Sequence, residues 1–135
     1  MPSSVTSIGK GAFFYCTSLT QINIPKSAEW IGDFAFANCS SLTQITIPSS
    51  VKSIGEETFK DCRSLETITF ENPNELDSIG ENAFADCPNL RTIRVPKGLE
   101  RSEFLNTFKQ RLKDCGVNFE DDNGNVLVNF EYIGD

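Results

Sequence analysis

Histidine is absent from this 135-residue chain, which removes the commonest general base and the commonest metal ligand together. No Ser-His-Asp arrangement is possible, however plentiful the serines and threonines. Cation clusters are missing as well. Twelve Lys and Arg stand against 19 Asp and Glu, for a formal charge of −7, so no nucleic-acid groove is expected. No apolar run approaches the roughly 18 residues that span a bilayer, so membrane insertion is not expected. The opening Met1-Pro2-Ser3-Ser4 lacks the basic and apolar regions of a signal peptide. There is no glycine-rich phosphate loop and no Cys-x-x-Cys pair. Catalysis, metal and cofactor are therefore not expected.

What is present is a repeat. Ile8-Gly9, Ile31-Gly32, Ile54-Gly55 and Ile79-Gly80 are 23, 23 and 25 residues apart. Phe13, Phe36, Phe59 and Phe84 keep those intervals, and so do Cys16, Cys39, Cys62 and Cys87. Leu19, Leu42, Leu65 and Leu90 follow, then Ile22, Ile45, Ile68 and Ile93, then Ile24, Ile47, Phe70 and Val95. Pro25, Pro48 and Pro96 close three of the strands, with Pro2 in the same phase. The longer last interval falls in Glu71-Asn72-Pro73-Asn74-Glu75, a turn-rich stretch that tolerates insertion. Columns agreeing in phase over four units mark a solenoid.

Each unit combines a short alternating strand, a turn and a compact return. In Gln21-Ile22-Asn23-Ile24 the isoleucines point one way and the polar pair the other. Proline then ends the strand, having no N–H for the ladder. Glycine after each Ile reads as a turn position, and Ala-Phe-x-x-Cys is long enough for one short helical turn. One such unit buries too few side chains to stand alone, and stacked units bury both faces of each rung.

The signature Ile-Pro-x-x-Val-x-x-Ile-Gly-x-x-Ala-Phe-x-x-Cys-x-x-Leu resembles the BspA-like leucine-rich repeats, over roughly residues 2–96. Ala28, Thr58 and the missing proline after Phe70 depart from it. The resemblance implies an α/β leucine-rich-repeat solenoid, right-handed, with a parallel sheet on its concave side and short helical turns. It also implies adhesion or protein binding at a microbial cell surface, or as a secreted protein.

The repeat stops after Pro96, which divides the chain into a solenoid over 1–96 and a C-terminal cap over 97–135. Residues 100–114 place Phe104, Leu105, Phe108 and Leu112 on one helical face. Gly116 stands where a helix end favours glycine. Residues 117–119 and 126–132 flank Asp121-Asp122-Asn123-Gly124, which predicts a β-hairpin with an Asn-Gly turn. At the other end Pro2 begins mid-unit, so the first rung is expected to offer an open apolar edge. Truncation of a longer solenoid explains that edge, and pairing with a second copy is the alternative.

Several motifs read more simply as structure. Four cysteines in one column point in parallel, the wrong aim for disulfides, and are expected to be packed thiols, with Cys115 on the cap helix. Asp121-Asp122-Asn123-Gly124-Asn125 fails the spacing of a calcium loop. Asn38-Cys39-Ser40 is formally a glycosylation sequon, but it overlaps a core column. Glu56-Glu57 reads as solvated charge on a turn.

The outward positions of the concave strands are the candidate partner-binding residues: Gln21 and Asn23, Gln44 and Thr46, Thr67 and Thr69, Thr92 and Arg94. Stacked in register they form a hydroxyl- and amide-rich face, with Glu66 and Arg91 placed to pair across strands. Trp30 replaces the serines of its column, Ser7, Ser53 and Ser78, and is a further possible contact, either exposed or packed on Phe34. The expected function is a non-enzymatic protein-binding module. The alternative is a cytoplasmic scaffold or self-assembling subunit that pairs through the first rung. A glycan ligand is disfavoured, because the concave face has no aromatic rings to stack on sugars.

Overall fold

The computed structural model describes residues 4–100 and 102–134; Pro2 lies outside them. In chain order the elements are β1 (Ser7–Ile8), β2 (Trp30–Ile31), β3 (Gln44–Ile47), β4 (Ser53–Ile54), β5 (Thr67–Phe70), β6 (Ser78–Ile79), β7 (Thr92–Pro96), α1 (Glu103–Asp114) and β8 (Asn129–Ile133). They form two four-stranded parallel sheets, β1-β2-β4-β6 and β3-β5-β7-β8. Each turn of the solenoid contributes a strand to one or both sheets, and the 23-residue columns become lines of touching residues. Ile8, Ile31, Ile54 and Ile79 are aligned in the first sheet. In the second, Ile45, Ile68, Ile93 and Phe130 are aligned.

The third side of each rung is a run of hydrogen-bonded turns where one helical turn was expected. Two positions per rung are left-handed. One column is Gly11, Phe34, Glu57 and Asn82, and the other is Tyr15, Asn38, Asp61 and Asp86. For residues with a Cβ this costs about 1–2 kcal/mol each. The conformation turns those N–H groups out of their own rung and toward the next. Tyr15 donates to the Ala37 carbonyl at 3.0 Å, Asn38 to Lys60 at 2.8 Å and Asp61 to Ala85 at 3.0 Å. The N–H of Phe13, Phe36 and Phe59 does the same, reaching Ala35, Thr58 and Ala83. Strain within a rung thus accompanies bonding between rungs.

Beneath these turns the four phenylalanines stack. Ring centroids are 5.2, 5.2 and 5.4 Å apart along Phe13, Phe36, Phe59 and Phe84, and successive planes lie within 2°. Thr58, which departs from the repeat, is fully buried, and its hydroxyl lies 2.7 Å from the Gly55 carbonyl and 3.3 Å from that of Gly32.

The glycine column serves close approach rather than turning. Gly32, Gly55 and Gly80 each donate to the isoleucine carbonyl of the preceding rung at 2.8 Å. A Cβ on Gly32 would lie 2.7 Å from the Lys10 nitrogen, whereas one on Gly9 would meet nothing within 4 Å.

At the C-terminal end α1 buries Leu105, Phe108 and Leu112 against the same core. The helix ends as the sequence predicts. Gly116 has φ +103 and donates to Lys113, while Val117 donates back to Leu112 at 3.0 Å, the paired bonds of a Schellman motif. The Cys115 carbonyl accepts from Phe84 at 3.0 Å and so takes the place of a fifth rung.

Two expectations about strands are corrected. Residues 21–24, although they repeat the β3 pattern, form no ladder with it. What remains is Thr43 donating to Thr20 at 3.4 Å. An outermost strand gains hydrogen bonds and burial on one side only, and Ile22 stays half-buried. The predicted hairpin is confined to its tip. Glu120 and Val126 form one antiparallel bridge around the turn, whereas residues 129–133 run parallel to β7 as a further strand of its sheet. The alternation of Phe130 and Tyr132 with Asn129 and Glu131 suits that open edge, where unpaired backbone groups need a partner.

Candidate binding surface

Register places the outward residues of the longer sheet in two lines. Gln44, Thr67, Thr92 and Asn129 form one, and Thr46, Thr69, Arg94 and Glu131 the other. Neighbouring strands are about 4.8 Å apart, so the first line is a near-continuous row of hydroxyls and amides, and the second runs from hydroxyls into charge. At that end Arg94 Nε lies 3.1 Å from Glu131 Oε1, a surface pair contributing about 0–1 kcal/mol.

Six of the eight expected positions come together on this sheet. Gln44 and Thr46 are exposed, Thr67, Thr92 and Arg94 are half-buried, and Thr69 is only 9% exposed. Thr69, flanked by Thr46 and Arg94, offers little to a partner. Gln21 and Asn23 are exposed but lie on the unpaired segment, beside a cleft of about 300 Å³ that Asn23 shares with Thr46 and Pro48. Asn129 and Glu131 were missed because they were assigned to the hairpin. Their alternation with Phe130 and Tyr132 was the available signal. The Glu66–Arg91 pair does not form. Arg91 Nη1 donates instead to the carbonyls of Pro88 at 3.0 Å and Leu90 at 3.2 Å. Trp30 is 48% exposed in β2, on the other sheet, and the ring near Phe34 is Phe14 at 6.4 Å.

The cysteines are free, and their column is a ladder of thiol donors. Cys39 lies 3.2 Å from the Phe13 carbonyl, Cys62 3.2 Å from Phe36 and Cys87 3.2 Å from Phe59. Cys115 Sγ reaches the Ile79 carbonyl at 3.6 Å. Burial pushes the Cys39 thiol from 9.0 up to about 11 and Cys87 to about 12, and raises Cys62 and Cys115 as well. Protonated thiols of this kind are packing groups, not nucleophiles. Between pH 9.0 and about 11 the folded chain keeps a Cys39 proton that the unfolded chain loses, so stability falls as pH rises through that window. The expected loss is about 1.4 kcal/mol per pH unit from each such thiol. Urea unfolding at about pH 8 and about pH 10 is expected to show a smaller alkaline loss in Cys39→Ala than in the parent. Equal losses would contradict the ladder.

Asp121 has its own use. Its Oδ1 accepts the N–H of Asn123 and Asn125 at 2.9 Å each, and Oδ2 accepts the Asn125 side chain. The Asn125 bonds, side chain before backbone, hold its carboxyl below the usual range. Among the described residues, no group of three or more Cys, Asp or Glu is placed to hold a metal ion. No helix there is long and apolar enough to cross a membrane.

Residues 1–111 match the BspA type leucine-rich repeat region, in six copies. The chain belongs to the BspA-type leucine-rich repeat family. Solved structures of leucine-rich repeat proteins are similar to it. A leucine-rich repeat protein from Bacteroides ovatus has TM-score 0.66 and 32% identity, covering 96% of this chain and 28% of its own. The T. pallidum leucine-rich repeat protein has TM-score 0.65 and 41% identity, covering 72% of this chain and 44% of its own. A protein of Faecalibacterium prausnitzii described as a leucine rich cell surface protein has TM-score 0.53 and 33% identity, covering 70% and 30%. The BspA-type chain thus spans less than half the length of each. No curated protein matches it.

Proposed function

We propose that the chain is a non-enzymatic protein-binding module of a microbial cell-surface or secreted adhesin, and that its partner docks on the concave face of β3, β5, β7 and β8. The observation that carries this reading is the pair of outward lines. They hold four strands in register and present Gln44, Thr46, Asn129 and Glu131 exposed at their two ends. Extended sheet faces are where solenoids usually bind. Gln21, Asn23, Thr67, Thr92 and Arg94 extend the contact, Thr69 forms its floor, and Trp30 is a separate candidate contact. The surface location rests on the cell-surface description of one similar protein.

The test is a pull-down with mass spectrometry that compares the parent with Gln44→Lys/Thr46→Glu, both checked for equal folding by circular dichroism. A partner captured by the parent and lost by the variant supports the reading. Partners retained equally contradict it.

A second reading, self-assembly through the first rung, is favoured by Phe14 and Tyr15, which are 47% and 60% exposed there. Backbone polarity opposes it. The N–H groups of Gly11, Phe13 and Tyr15 all point to the second rung, leaving a row of carbonyls on the outer edge of that turn. Two copies meeting edge to edge would set acceptor against acceptor, and α1 covers the opposite end.

A further inference from the structure

A cleft of about 460 Å³ opens where the fourth rung meets the cap, lined by Phe84, Asp86, Leu90, Arg91, Asn118 and Val128 among others. Its backbone chemistry is fixed by the rungs before it. At the equivalent position Tyr15, Asn38 and Asp61 each donate an N–H to the following rung, and the carbonyls of Phe13, Phe36 and Phe59 each lie within reach of a thiol of the following rung. The cap replaces only part of this. Cys115 accepts from the Phe84 N–H, but its thiol goes to Ile79. Among the described residues, nothing accepts from the Asp86 N–H and nothing donates to the Phe84 carbonyl. Asp86 nevertheless keeps the left-handed conformation, φ 58, that at Tyr15, Asn38 and Asp61 of its own column comes with an inter-rung bond. Around this open donor and acceptor lie the apolar side chains of Leu90, Val117, Leu127 and Val128. At the rim, Arg91 uses one nitrogen on the Pro88 and Leu90 carbonyls, and its other guanidinium nitrogens have no partner among the described residues.

We propose that this cleft binds a short extended peptide in the place of a missing rung. The peptide gives a backbone carbonyl to the Asp86 N–H, a donor to the Phe84 carbonyl, an apolar side chain to the pocket and a carboxylate to Arg91. The volume lies in the lower part of the range for ligand pockets, and the free guanidinium edge supplies the charge complementarity for the carboxylate. This site borders the outward lines of that sheet, through Arg91 beside Thr92 and Val128 beside Asn129, but shares no residue with them, so variants at Gln44 and Thr46 separate it from the docking face.

The probe is an acetylated tetrapeptide of residues 37–40, which in the second rung follows the place that Cys115 and Gly116 take here, with a free C-terminal carboxylate. Without peptide, the Asp86 amide is expected to exchange with solvent at least about tenfold faster than those of Asn38 and Asp61. Titration followed by amide NMR is expected to give a saturable shift centred on Asp86, Asn118 and Val128, with slower exchange at Asp86. Amidation of the peptide C-terminus is expected to weaken binding about tenfold. In Arg91→Gln the acid and the amide should bind alike. Asn118→Trp, at an exposed position, fills the cleft and is expected to abolish the shift, while Gln44→Lys/Thr46→Glu leaves it unchanged. A non-saturating titration, shifts centred elsewhere, or equal binding of acid and amide by the parent would overturn the proposal. The acid–amide comparison needs no substituted protein.

Discussion

Gly32→Ala is expected to cost about 3 kcal/mol or more of stability, whereas Gly9→Ala in the same column should change it by less than about 0.5 kcal/mol. The two sites share sequence context and differ in what lies behind them. A methyl on Gly32 would press on the Lys10 nitrogen at 2.7 Å and the Gly9 carbonyl carbon at 2.8 Å. Both are backbone atoms, so no rotamer change relieves the clash. The only response is to separate the rungs, which lengthens the bond from the Gly32 N–H to the Ile8 carbonyl, now 2.8 Å. Gly9 has no such neighbour. Urea unfolding of both variants checks this. If Gly9→Ala is as damaging as Gly32→Ala, the column serves turn conformation and the close-approach explanation is wrong.

Phe59→Ala is the second large effect, with about 3–5 kcal/mol lost, and Phe13→Ala is expected to cost clearly less. Phe59 is fully buried between Phe36 and Phe84, with a stacked ring on either side. Each aromatic pair contributes about 0.5–1.5 kcal/mol beyond burial, so Phe59→Ala empties a cavity and breaks two stacks. Phe13 is partly buried and stacks on Phe36 alone. Equal losses in the thermal melts of the two variants would mean that the column is not a cooperative stack.

The rungs were legible because a solenoid writes its contacts at a fixed interval: Ile8 over Ile31, Phe36 over Phe59, Cys39 beneath the Phe13 carbonyl. The same spacing placed Gln44, Thr67 and Thr92 in one line. The interval does not show how the strands at the two ends pair, and there the expectations fail. Residues 21–24 carry the strand pattern without the ladder, because pairing depends on neighbours that the pattern does not encode. Residues 129–133 looked like half of a hairpin because the Asn-Gly turn is a local signal, while the open edge of β7 is a tertiary one. The Arg94–Glu131 pair depends on that same edge and was hidden with it. Glu66 and Arg91 occupy adjacent rungs as expected, but nearby carbonyls compete for the guanidinium. The left-handed columns mix Gly, Phe, Glu, Asn, Tyr and Asp, a composition that gives no hint of a shared backbone conformation.

The docking face is tested most directly by residue-level amide exchange, with and without a captured partner. Slower exchange is expected across Gln44–Ile47, Thr67–Phe70, Thr92–Pro96 and Asn129–Ile133, with the turns around Phe36 and Phe59 unchanged. Protection confined to those turns, or to the exposed Phe14 and Tyr15 of the first rung, would contradict it.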